Sequence, residues 1–270
     1  MSNIIEARSI SKIFHGHGRH ADVAALSDVS MAVARGEIYG LVGESGSGKS
    51  TLSRILVGLE EASAGEVLVD GNPVSGKEAT LAMRRRIQYV FQDPFGSLPP
   101  HMTVREIVAD PLIVHRIGDA AARERSVRDM IGRVGLSVSD LDFYPGVFSG
   151  GQRQRISLAR ALITRPELVI CDEVVSGLDV SIQAQILNLL LDLHEQLEVS
   201  YIFVSHDLRV VHYLSDRVGV MHEGRLVEEG SVDEVFASPQ HPYTQHLLAS
   251  SPDLVRPETP TTRAMAGDVS

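Results

Sequence analysis

Eight residues, Gly43-Glu44-Ser45-Gly46-Ser47-Gly48-Lys49-Ser50, constrain this chain more than any other stretch. They fit the phosphate-loop pattern, two glycines spaced by four residues and followed by Lys and Ser or Thr. Before them, Glu37-Ile38-Tyr39-Gly40-Leu41-Val42 reads as a buried strand; after them, Thr51 to Leu59 has the spacing of a packed helix. A strand, a glycine turn and a helix start are the setting the pattern requires. Glycines let the backbone curl until successive N–H groups converge on one anionic point. The helix start adds its partial positive charge there. In such a loop Lys49 reaches the β- and γ-phosphates and the Ser50 hydroxyl coordinates Mg²⁺. The expectation is a site for a nucleoside triphosphate.

Apolar residues make up 43% of the 270 and charged residues 22%, an ordinary globular balance. No run approaches the roughly 18–20 apolar residues of a membrane span. The opening Met1-Ser2-Asn3-Ile4-Ile5-Glu6 lacks the basic and apolar regions of a signal peptide. A net charge of −10 argues against a nucleic-acid surface. Cys171 is the single cysteine, so neither a disulfide framework nor a cysteine metal site is expected within the chain. A cytosolic protein fits these features, and any membrane role must come from a partner.

Residues 3–9 and 26–34 alternate as half-buried strands do. The glycine- and histidine-rich run 15–20 between them reads as a surface loop, and Phe14, from its spacing, as core. Strands are expected at 65–71 and 87–91, a helix at 80–86, and a helical insertion from Thr103 to Gly135. Ser149 is suited to cap the helix that opens with Gly150-Gly151-Gln152. Leu168 to Glu173 is an apolar strand ending in two carboxylates, and Ser200 to Ser205 another, ending at His206. Between them, residues 182, 186, 189, 190, 193 and 197 form one helix face. Two hairpin-like strands (217–222, 225–229) and short helices near 232–237 and 243–250 follow. The Pro-, Thr- and Ser-rich stretch 251–270 reads as a flexible tail. Strand–helix alternation gives an α/β chain with a mainly parallel sheet.

Ligands of parallel sheets gather at the carboxyl ends of strands. Four polar groups fall there: the phosphate loop, Gln92, Asp172-Glu173 and His206. Asp172 is placed to hold Mg²⁺, often through water. Glu173 is placed to orient and deprotonate an attacking water. Each alone has an ordinary surface reading; together they describe hydrolysis by positioning and charge stabilisation.

With these residues in place the sequence resembles an ATP-binding cassette ATPase subunit of a transporter, from about residue 4 to 250. The resemblance rests most on Ser149-Gly150-Gly151-Gln152, followed by the Asp172-Glu173 strand end, by Ser176-Gly177-Leu178-Asp179 and by Ser205-His206-Asp207. It implies a phosphate-loop NTPase fold with an N-terminal antiparallel β subdomain and a helical subdomain at approximately 93–150, in one ATPase domain over 1–250. It implies ATP and Mg²⁺. Gly43 to Thr51 would bind the nucleotide and Phe14 would stack on adenine. Ser50, Gln92 and Asp172 would hold the metal. Glu173 and His206 would serve hydrolysis, with Gln92 linking the metal site to the membrane partner. Such ATPases work as head-to-tail dimers, so Ser149, Gly150, Gly151, Gln152 and Asp179 would meet the nucleotide of the other subunit.

Val90-Phe91-Gln92-Asp93-Pro94-Phe95-Gly96-Ser97-Leu98 and His241-Pro242-Tyr243-Thr244 look like the oligopeptide, dipeptide and nickel importer branch. The departures are Phe148 for the usual Leu, Val174 for a common Pro, and Pro99 for a usual Asn. The branch implies uptake of peptides or a similar small solute. Its partners would be membrane permease subunits, a second ATPase and, indirectly, a solute-binding protein. The chain would sit in the cytoplasm, peripheral on the inner face of the cell membrane. The alternative is an ATPase module of a soluble enzyme assembly, since accessory subunits of carbon–phosphorus lyase have a similar tail. A soluble cassette acting on ribosomes or DNA ranks last, since no second cassette or coiled coil is visible.

Overall fold

The computed structural model describes residues 2–16, 21–74 and 76–250. Residues 17–20 of the glycine–histidine loop, and the stretch 251–270, lie outside them. In order, the elements are β1 (Asn3–Phe14), β2 (Val23–Ala34), β3 (Ile38–Val42), α1 (Lys49–Leu56), β4 (Ala64–Val69), β5 (Asn72–Pro73), α2 (Gly76–Arg86) and β6 (Ile87–Val90). Then come α3 (Pro94–Ser97), α4 (Val104–Val114), α5 (Ala120–Arg133), α6 (Gly150–Leu162), β7 (Leu168–Asp172), α7 (Val180–Leu197) and β8 (Ser200–Ser205). The last are α8 (Leu208–Leu214), β9 (Arg217–His222), β10 (Arg225–Ser231), α9 (Val232–Ala237) and α10 (Pro242–Ala249).

Two sheets form. An antiparallel one has the order β2-β1-β4-β5; the other has the order β10-β9-β3-β8-β7-β6, parallel except for the final β9–β10 hairpin. The apolar runs of the parallel strands are sorted by parity, because successive side chains point to opposite faces. Tyr39, Leu41, Leu168, Ile170, Ile202 and Val204 pack with α1 and the antiparallel sheet. Val169, Cys171, Tyr201 and Phe203 pack with the helices of the opposite face. Gly40 belongs to that second face: a Cβ on it would lie 2.3 Å from Val211 Cγ1, so the missing side chain is what lets α8 lie on β3.

Helices α4, α5, α6 and α7 begin at Thr103, Asp119, Ser149 and Asp179, each of whose side chains accepts a first-turn backbone N–H. The two sheets are tied by an ion-pair ring. Arg35, after β2, pairs with Asp70, after β4, and with Glu167, before β7, at 2.5 Å. Arg86, ending α2, pairs with the same two carboxylates. Among the described residues, no helix is long and apolar enough to cross a membrane.

Candidate nucleotide site

The loop 43–48 leaves the end of central strand β3 and enters α1. Gly43 has φ +149°, and a Cβ there would lie 2.1 Å from the Met221 carbonyl oxygen, so glycine is required. Gly48, at φ +103°, precedes α1 and supplies no side-chain cap, unlike the residues before α4 to α7. The first-turn N–H groups of α1 therefore keep their donor capacity for a ligand, and the helix dipole favours an anion.

Lys49 is buried, 5% exposed. Its ammonium donates to the carbonyls of Gly43 (2.7 Å) and Glu44 (2.8 Å) and to Ser47 Oγ (3.4 Å). None of these acceptors carries charge. Burial pulls the ammonium below the usual lysine value, opposed by the carboxylates of Glu173 and Asp172. A buried cation held by neutral oxygens is suited to an anionic ligand. Beside it, Ser50 Oγ donates to Asp172 Oδ1 at 3.1 Å. Asp172, 4% exposed at the end of β7, also accepts the Tyr89 hydroxyl on Oδ2. Burial, then the Asp172 charge, pushes the Tyr89 phenol well up, which keeps it a donor.

Glu173 has φ +50°, an uncommon left-handed backbone for a non-glycine residue. It is held by its N–H donating to Val204 O at 3.0 Å. This turn takes the chain off β7 and presents the carboxylate. Gln92 Nε2 donates to Glu173 Oε2 at 2.7 Å, and His206 Nδ1 lies 3.2 Å from Oε1. The structure thus brings together Lys49, Ser50, Asp172, Glu173, Gln92 and His206 from four strand ends.

The remaining expected residues lie elsewhere. Ser149 and Gln152 form a reciprocal capping box: Ser149 Oγ accepts the Gln152 N–H and Gln152 Oε1 accepts the Ser149 N–H at 3.0 Å. Gly150 and Gly151 open α6 against α7 and the loop before it. A Cβ on Gly151 would lie 2.6 Å from Ile182 Cγ2, and one on Gly150 3.3 Å from Leu178 Cδ2. Asp179 caps α7 through the Ile182 N–H at 3.0 Å. Phe14 departs from its spacing-based reading as core. It ends β1 with 42% exposure, and the Lys12 ammonium sits 4.9 Å from its ring centre. An exposed aromatic at the end of a sheet is free to stack on a planar ligand.

Two residues at the site were missed. Tyr89 is one. The other is Tyr243, whose hydroxyl accepts the Glu44 N–H at 3.0 Å from α10. The Tyr243 signal lay in the His241-Pro242-Tyr243-Thr244 run, which sequence reading used for kinship alone.

An oxygen-rich, carboxylate-poor site suits Mg²⁺, which takes one or two carboxylates and completes its shell with phosphate and water. Ser50 Oγ and Asp172 Oδ1 fit this. No cluster of three or more His, Cys, Asp or Glu side chains suited to a metal occurs among the described residues.

The family described as ABC transporter matches residues 26–176, and the oligopeptide/dipeptide transporter C-terminal region matches residues 227–270. The chain is 45% identical to an oligopeptide transport ATP-binding protein of Streptococcus mutans over 254 residues, 93% of this chain and 82% of that protein. It is 47% identical to the Bacillus subtilis protein of the same description over 234 residues, 85% of this chain and 77% of that one. Among solved structures it resembles cbiO1 of Clostridium perfringens, part of the ABC transporter complex cbiONQ (TM-score 0.78, 29% identity, 88% of this chain, 92% of that one). It also resembles a dimeric ATP-binding cassette in a post-hydrolysis state bound to ADP and Pi (TM-score 0.76, 28% identity, 84% of this chain, 98% of that one).

Proposed function

The chain belongs to the ABC transporter ATP-binding family, and from that membership we propose that it hydrolyses ATP to drive the uptake of peptides or a similar small solute. The matching C-terminal region and the relatives' descriptions favour import over a soluble enzyme assembly. Its partners are then membrane permease subunits, a second ATPase chain and, indirectly, a solute-binding protein. We place it on the inner face of the membrane, with residues 1–250 acting as one ATPase domain and approximately 93–150 as its helical subdomain.

The observation that carries the reading is the Glu173 carboxylate, gripped on one oxygen by Gln92 and on the other by His206. It stands one residue beyond the Asp172 that Ser50 touches. In this assignment the loop amides and Lys49 bind the β- and γ-phosphates and Phe14 stacks on the base. Ser50 and Asp172, with Gln92 at the rim, would hold Mg²⁺, which neutralises charge on the phosphate oxygens. Glu173 accepts a proton from water as the water oxygen bonds to the γ-phosphorus, and ADP leaves with the bridging oxygen. His206 and Gln92 keep that carboxylate aimed. In a head-to-tail pair, Ser149, Gly151 and Asp179 would face the partner's nucleotide.

The test is Glu173→Gln. The amide keeps the shape and one acceptor oxygen but is no base, so turnover should fall by about 10²- to 10⁴-fold. ATP binding should persist, and the protein should accumulate as an ATP-bound dimer in size-exclusion chromatography. Wild-type turnover would overturn the assignment.

A further inference from the structure

The C-terminal segment reaches the phosphate loop, and the atom it touches is informative. The peptide group between Gly43 and Glu44 has two polar ends. Its carbonyl accepts the Lys49 ammonium at 2.7 Å, and its N–H donates to the Tyr243 hydroxyl at 3.0 Å. A peptide group is planar, so rotating it to satisfy one end moves the other. We infer that Tyr243 is a positioning residue for Lys49, fixing from α10 the peptide plane on which the ammonium rests.

Tyr243 is itself held at its ring and at its backbone. Its ring stacks on His222, with centres 3.8 Å apart and planes 23° from parallel. Its N–H donates to His241 Nδ1 at 3.2 Å, making His241 the cap of α10, with Pro242 in the first turn. The cap is anchored in turn: Glu228 on β10 accepts the N–H groups of Gln240 at 2.7 Å and His241 at 3.0 Å. Each residue from His241 to Tyr243 thus has a defined task. The loop's far end is braced by the same part of the chain, where the Gly224 N–H donates to Ser47 O at 3.0 Å. The phosphate loop is therefore supported from behind by residues 222–243.

The inference rests on the reading that Lys49 clamps the phosphates, and the experiment separates the two. ATP affinity and steady-state hydrolysis are measured for wild type, Tyr243→Phe, Lys49→Ala and the double variant. Phenylalanine keeps the stack on His222 and removes only the acceptor. Tyr243→Phe should weaken ATP binding and raise KM by about 2- to 10-fold, the range of one hydrogen bond. The thermal midpoint should stay within about 2 °C of wild type. Lys49→Ala should weaken binding further, and adding Tyr243→Phe to it should change nothing more, because the tyrosine acts through the lysine. Unchanged affinity in Tyr243→Phe, or an equal loss in both backgrounds, overturns the inference. Wild-type affinity in Lys49→Ala overturns the site assignment instead.

Discussion

Asp172 is where the residue scale decides most. Ser50 takes one of its oxygens and Tyr89 the other. Removing the phenol in Tyr89→Phe leaves one oxygen of a buried carboxylate without its donor, so the group is less firmly aimed. We expect the Mg²⁺ concentration for half-maximal ATPase activity to rise about 10-fold, typical of losing an outer support of a metal ligand. A magnesium titration checks this, and an unmoved curve would remove Tyr89 from that role. The phosphate loop, Gln92, Asp172, Glu173 and His206 were legible because each is set by local chain order at a strand end. Tyr89 and Tyr243 were not, because their partners lie 83 and 199 residues away. Phe14 misled for a related reason: apolar spacing says that a side chain is apolar, and the end of β1 leaves it outside.

At the scale of elements, the glycines after Ser149 act on packing within the chain. Gly151 brings the start of α6 against Ile182 in the first turn of α7. Gly151→Ala forces a methyl to within 2.6 Å of Ile182 Cγ2 and should destabilise by about 1–3 kcal/mol, measured by urea unfolding. Ile182→Ala in the same chain should recover part of that loss, whereas no recovery would place the strain elsewhere. Strand and helix positions were legible from periodicity and breakers, and Ser149 as a cap followed from its residue type. Which face each parallel strand gives to which layer was not. A run such as Leu168-Val169-Ile170-Cys171 is apolar on both sides, and only the assembled sheet separates odd from even.

On the scale of the whole molecule, the ring of Arg35, Arg86, Asp70 and Glu167 joins the antiparallel sheet to the parallel one. The Arg86 guanidinium, then Arg35, outweigh the cost of burial and draw the Glu167 carboxyl down from 4.5 to about 2. A carboxylate depressed on folding contributes stability above its unfolded value and loses it as pH falls toward its folded one. The thermal midpoint should therefore drop between about pH 4.5 and 2, and Glu167→Gln should flatten that window while lowering the plateau above it. An identical pH profile in the variant would show that Glu167 contributes nothing across this range. The sequence shows these four charges without showing that they meet, because they come from four separate elements. The order β10-β9-β3-β8-β7-β6 carries a further consequence. β3, which delivers the phosphate loop, has β8 and β9 for neighbours, and the loop is braced by Gly224 and Tyr243. On the ribosome the motif emerges early, yet both strands that flank β3, and the Gly224 and Tyr243 that brace the loop, are translated some 150 residues later or more. A nascent chain stalled before β8 should display the motif and retain no nucleotide, so ATP becomes a ligand only as synthesis nears its end.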